Sequence, residues 1–200
     1  LNTPEGPQLI ADLLAEAGGT PRSILLDAMK PEITRRLIEV GDVARATRFY
    51  RSEFPLHDQV LNKSAFDLAN QNAADHGLFA WQIQDLPGVM SGFGEGRSAE
   101  IQYFQVDIEQ TNGGILLRKT LLLPPGEYTF ASRSFRDSGW FEWRIACPAG
   151  GMEKRIGPGL SFPLTIGPGC PTQQIQLWIK SPPNNQQFYD IKVLAPELSS

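Results

Sequence analysis

Histidine and cysteine are scarce in this chain, with two of each among 200 residues. His57 and His76 have no neighbour at a metal-binding or catalytic spacing, and each is expected to lie at the surface or to cap an element. The chain has no His-x-x-x-His, no Cys-x-x-Cys and no phosphate loop, so nucleophilic and metal-assisted catalysis have no motif. No apolar run approaches the roughly 18 residues that a membrane helix requires, so no membrane insertion is expected. Basic residues are also few. Eighteen Lys and Arg stand against 22 Asp and Glu, for a net charge of −4, without a cluster of four or more cations. Nucleic-acid binding rests on phosphate neutralisation, so it lacks its electrostatic footprint here. These gaps lead to the expectation of a non-catalytic chain that needs no cofactor.

The chain does have enough apolar residues for a real core, 41% of the total, and 19 Gly and 16 Pro that concentrate beyond residue 86. Two periodicities divide it. Residues 1–56 read as four short helices, PQLIADLLAEAGG, RSILLDAMK, PEITRRLIEVG and DVARATRFYRSEF, separated by Gly and Pro signals. From residue 57 to 197 the period is two, with residues 198–200 left as a tail. LFAWQIQ, IQYFQVDIEQ, LRKTLLL, EYTFASRSF, WFEWRIAC, QQIQLWIK and FYDIKVLA are seven strand-like segments with turn-rich joints. GFGEGR (92–97) has no helix after it and reads as a loop. The fold class expected is mainly β, an antiparallel sandwich behind a short helical segment.

Side chains alternate faces along a strand, so parity sorts the four tryptophans. Trp81 falls with Phe79 and Ile83 on a core face, and Trp143 with Phe141, Ile145 and Cys147. Trp140 falls outward with Glu142 and Arg144, and Trp178 falls outward with Gln174, Gln176 and Lys180. An outward indole among amides and charged groups suits sugar recognition: the ring stacks on a pyranose while the polar groups meet its hydroxyls. The same two rings would also suit burial against protein, as strand-end caps or under the helices. Asp107 and Glu142 are the one outward carboxylate pair to weigh for glycoside hydrolysis.

Several segments in order resemble a family. VLNKSAFDL (60–68), GLFAWQIQDLPGV (77–89), RKTLLLPPGEYTFASRSF (118–135) and FYDIKVL (188–194) are similar to successive strands of the galactose-binding-like jelly rolls, which include many carbohydrate-binding modules. The resemblance implies a jelly-roll topology and carries over a structural calcium site near the first and last strands, at Asp67 and Asp190. Two carboxylates would need carbonyls and water to complete a calcium shell. GDVARATRFY resembles the second half of a tetratricopeptide-type repeat, without a second copy at a fixed period.

Cys147 closes one strand and Cys170 precedes the next, and a disulfide between them across the sandwich is expected, hence a periplasmic or extracellular setting. The functional expectation is recognition of a glycan or polysaccharide through Trp178, Gln176, Gln174, Trp140, Glu142 and Arg144. The alternative is a structural or protein-interaction domain at the end of a helical-repeat scaffold, with a protein partner covering the outer tryptophans.

Overall fold

The computed structural model describes residues 23–53, 66, 79–95, 102–133, 136, 138–148, 152–181 and 187–199. The first expected helix, His57, His76 and Asp67 lie outside the described residues.

Two helices come first, α1 (Ser23–Glu39) and α2 (Val43–Glu53). The second and third expected helices are one, because α1 runs through Pro31 without a break. Proline removes one backbone donor from a helix interior, and packing of the following turns outweighs that loss. In the same region Thr34 Oγ1 donates to Lys30 O at 3.0 Å. Gly41, at φ 85°, ends the helix in the left-handed region that glycine adopts without strain. Gly41 N then donates to Ile38 O and Asp42 N to Leu37 O, at 3.0 and 2.8 Å. Asp42 caps α2 by accepting from Arg45 N at 3.2 Å. The pair closes on Ile33, Leu37, Ala46 and Phe49. It meets the strands through Tyr50, whose ring stands edge-on to Phe79 at 4.6 Å, with Ile38 and Leu122 alongside.

The described strands are β1 (Gln82–Ile83), β2 (Val89–Glu95), β3 (Gln102–Ile108), β4 (Gly114–Leu121), β5 (Gly126–Ala131), β6 (Phe141–Cys147), β7 (Met152–Ile156), β8 (Ser161–Ile166), β9 (Gln173–Ile179), β10 (Phe188–Val193) and β11 (Glu197–Ser199). All pairings are antiparallel. One layer is the sheet β1-β4-β9-β6-β7; the other comprises the sheets β10-β3-β2 and β11-β5-β8. A single core joins the layers, with Phe104, Val106, Ile191, Phe130 and Leu164 on one side and Trp143, Ile145, Ile175 and Leu177 on the other. The chain changes layer at most of its connections, as a jelly roll does. The protein is mainly β and antiparallel, with a pair of helices before the strands.

Four strands lie outside the seven that period-two reading finds. Residues 92–95, read as part of a loop, belong to β2. Phe93 pairs with the core residue Phe104, and Gly92 and Gly94 alternate with it on the outer side. A Cβ on Gly94 would meet the Tyr103 ring at 2.6 Å, so the glycine makes room for an aromatic crossing the strand. β7 and β8 hide in the Gly- and Pro-rich stretch between the cysteines. Pro163 is tolerated because β8 is the edge of its sheet. β11 takes the sheet into the expected tail, pairing Leu198 with Phe130.

Parity predicts the core faces of the longer strands. β6 and β9 each alternate strictly between fully buried and half-buried positions. Ile83 is an exception, 40% exposed rather than core, on a two-residue strand that is the edge of its sheet among the described residues. Of the buried polar residues, two longer side chains stand out. Gln173 is fully buried and staples two loops: its Oε1 accepts from Leu123 N at 2.8 Å, and its Nε2 donates to Cys170 O at 2.6 Å. Lys119 faces the core side of β4 at 2% exposure, its Nζ 5.9 Å from the centre of the Trp81 ring.

Cys147 and Cys170 form a disulfide, with Cα atoms 5.5 Å apart. It does not cross the sandwich. β6 and β9 are neighbours in one sheet, paired through Ala146 and Gln174, so the bond ties the end of β6 to the approach of β9. It closes a loop of 23 residues in sequence separation, worth about 3 kcal/mol by loop entropy.

Candidate functional site

The outer face of β6 and β9 gathers five of the six residues singled out by alternation. Glu142 stands opposite Trp178, Arg144 opposite Gln176, and Ala146 opposite Gln174. On the other flank of β9, Arg118 and Thr120 of β4 stand opposite Gln176 and Gln174. Parity had given only a shared sidedness within each strand; adjacency of the strands turns it into a patch.

Side chains on this patch are bonded to one another. Trp178 Nε1 donates to Gln176 Oε1 at 2.8 Å, and Gln176 Nε2 donates to Gln174 Oε1 at 3.1 Å. The three residues, two apart on one strand, form a ladder along β9. Arg144 Nε donates to Glu142 Oε1 at 2.5 Å, and Arg144 Nη2 reaches the same oxygen. The Arg144 guanidinium lies over the Trp178 ring, 3.6 Å from its centre. A guanidinium on an indole face is attracted by the ring quadrupole, and the stack shields the ion pair from water. Both partners are accordingly well covered, Arg144 at 15% and Glu142 at 13% side-chain exposure. Lys180 Nζ and Glu153 extend the charges, at 3.9 Å from Glu142 and Arg144 respectively.

Trp140 does not join this patch. It ends a single 3-10 turn, Ser138–Trp140, so strand alternation does not reach it. Its ring packs against the core, 6.0 Å from Phe188 of β10. Only its backbone belongs to the patch's sheet, where Trp140 O accepts from Lys180 N at 2.8 Å.

Asp190 lies at a bulge of β10 with φ 55°, and its N–H donates to Asp107 Oδ1 at 2.6 Å. Its carboxylate is exposed and 3.6 Å from Lys192 Nζ. Among the described residues no group of three or more His, Cys, Asp or Glu is arranged to hold a metal ion. Asp107 and Glu142 belong to different layers and point away from the shared core on opposite sides, so they do not form a catalytic pair.

The patch continues into a cleft of about 670 Å³ between α1 and the five-stranded sheet. Gln82, Arg118, Thr120, Thr172 and Gln174 line its sheet side, and Arg35, Ile38 and Glu39 its helix side. Gln174 therefore belongs to both the ladder and the cleft. Arg118, Thr120 and Thr172 were missed by reading the sequence. LRKTLLL shows Arg118 and Thr120 two apart, but only the β4–β9 register places them beside the glutamines. On the rim, the Arg35 guanidinium beside Glu32 holds that carboxyl below the usual carboxylate range, and Glu32 raises Arg35 in return.

No protein-family model and no curated protein matches the chain. Two solved structures that resemble it are the enzymatically active domain of tailspike protein 4 of bacteriophage CBA120 and TmCBM61 in complex with β-1,4-galactotriose. The first aligns at 11% identity and TM-score 0.37 over 59% of this chain, which spans 18% of the tailspike chain. The second aligns at 12% identity and TM-score 0.37, over 66% of this chain and 96% of the other. Among the described residues no helix is long and apolar enough to cross a membrane.

Proposed function

We propose that the protein is a non-catalytic glycan-recognition module whose binding surface is the outer face of β6 and β9. The observation that carries this reading is the grouping of an indole, two amides, a carboxylate and a guanidinium at adjacent register positions of two neighbouring strands. Sugar recognition calls for an aromatic plane with hydrogen-bonding groups at fixed distances beside it. The ladder supplies such fixed groups, because Gln176 and Gln174 are already oriented by their bonds to Trp178 and to each other. Arg144 takes one face of the Trp178 ring, so the sugar stacks on the opposite face. The disulfide fits a secreted or periplasmic setting, where glycans are encountered.

The competing scaffold reading has the helices cover Trp178. The α1 helix stands instead over the Gln174 end of the ladder, in the cleft with Arg118 and Gln82. That placement favours recognition.

A glycan array probed with the 200-residue chain and its Trp178→Ala, Gln176→Ala and Trp140→Ala variants tests the assignment. Binding should be lost in Trp178→Ala and weakened at least about tenfold in Gln176→Ala, the scale of one well-made polar contact. Trp140→Ala should retain binding wherever it remains folded. Binding indifferent to Trp178 would overturn the site, and no binding at all would favour the scaffold.

A further inference from the structure

The cleft beneath α1 has a charge that the rest of the patch does not balance. Most cations around this face have carboxylate partners. Arg144 is held by Glu142, Arg155 by Glu153, Lys180 lies near Glu142, and Arg35 is held by Glu32 and Glu39. Arg118 has none among the described residues. Its Nε donates to Gln82 Oε1 at 2.8 Å, which sets the plane of the guanidinium and leaves both terminal nitrogens without an acceptor among the described residues. The neighbouring groups are donors as well. The Gln174 amide nitrogen and the Thr120 and Thr172 hydroxyls line the same cleft and donate no hydrogen bond among the described residues. A planar guanidinium with a free fork matches a carboxylate bidentately, and the hydroxyls and amide suit the oxygens of a sugar ring.

We propose that this cleft is a carboxylate subsite and that the glycan recognised by the protein is acidic, carrying uronic acid residues. The inference rests on the glycan reading of the adjoining patch. The uronate carboxylate sits on the two terminal nitrogens of Arg118, and its pyranose ring meets Gln174, Thr120 and Thr172. From there the chain continues along Gln176 towards Trp178. The cleft's volume, about 670 Å³, falls within the range of roughly 300–1,000 Å³ usual for small-molecule sites. In this cleft the Arg118 guanidinium, without a carboxylate partner among the described residues, fits a ligand with a single charge per sugar. A densely sulfated or phosphorylated polymer would need a cluster of cations that the sequence does not have.

The test compares uronic-acid glycans with their carboxyl-reduced counterparts, which keep the same linkages but carry no charge. Both sets are arrayed and the hits titrated calorimetrically against the full chain, Arg118→Gln and Arg118→Lys. The expected result is at least about tenfold tighter binding of the acidic form, the size of a charge-assisted pair. That preference should fall to near unity in Arg118→Gln and partly persist in Arg118→Lys, which keeps the charge and loses the fork. Thermal unfolding of each variant checks that the fold is retained. Equal binding of the acidic and reduced forms by the unaltered protein overturns the carboxylate subsite and leaves glycan recognition standing. A preference that survives Arg118→Gln overturns the role of Arg118. Failure of both sets to bind overturns the subsite, while binding of other glycans on the broader array keeps the glycan reading and failure there removes it too.

Discussion

The two faces of the β6–β9 pair share one backbone and one register but differ in how they use their side chains. On the inner face Trp143, Ile145, Ile175 and Leu177 are fully buried among the other layer's residues. Trp143 lies 5.7 Å from Trp81, and its indole N–H finds no acceptor among the described residues. On the outer face Trp178 keeps its N–H bonded to Gln176 and its ring under Arg144. The inner tryptophan sacrifices a hydrogen bond for packing, and the outer one has its polar handle satisfied at partial burial. The inner face therefore carries stability, where volume matters most, and the outer face carries orientation, where donors and acceptors matter most.

Substitution of the inner tryptophan should show the contrast at its largest. Trp143→Ala is expected to cost about 3–5 kcal/mol in chemical denaturation, as for other buried aromatics. Trp143→Phe should cost far less, because it also removes an N–H whose burial without a partner is unfavourable by about 1–3 kcal/mol. A Phe variant as unstable as the Ala variant would mean that the N–H has an acceptor after all.

Next in size is the bond that holds the ends of the two strands together. Reduction, or the double change Cys147→Ser with Cys170→Ser, should lower unfolding stability by about 3 kcal/mol. Thiol labelling of unreduced, denatured protein should find no reactive cysteine.

The outer face should respond in the opposite sense. Trp178→Ala is expected to lower stability by only about 1–2 kcal/mol, for one hydrogen bond and one cation–π contact, while abolishing glycan binding. A loss as large as that of Trp143→Ala would place Trp178 in the core and remove the distinction between the faces.

The smallest effect concerns the charged rim of the cleft. Arg35, by its hydrogen bond, lowers the Glu32 carboxyl below the usual carboxylate range. A carboxyl lowered in the folded state adds stability that is fully present above its unfolded value and is lost as pH falls through its folded one. The pair is about half exposed, so Glu32→Gln should change stability at neutral pH by no more than about 0.5 kcal/mol. That difference should shrink as the pH is lowered through the carboxylate range and shrink again in salt.

Where side chains alternate without interruption, local order carries over into the fold. Phe141 to Cys147 and Gln173 to Ile179 are extended throughout, so each residue type already states its face. The legibility ends where the backbone departs from that period. Trp140 is turned inward by a 3-10 turn, and Ile83 is left exposed by a strand too short to be covered. β2 was obscured by its glycines, of which Gly94 passes beneath Tyr103, and β8 by a proline that only an edge strand accepts.

The candidate site divides in the same way. The outward character of Trp178, Gln176, Gln174, Glu142 and Arg144 is determined by the sequence alone, because it depends on nothing beyond the two-residue repeat of a strand. That β6 lies beside β9, that Arg118 stands across from Gln176, and that α1 roofs the far end to leave a cleft was decided only by tertiary structure. Strand neighbours and register come from closing one core between two layers, a long-range condition that no local period contains.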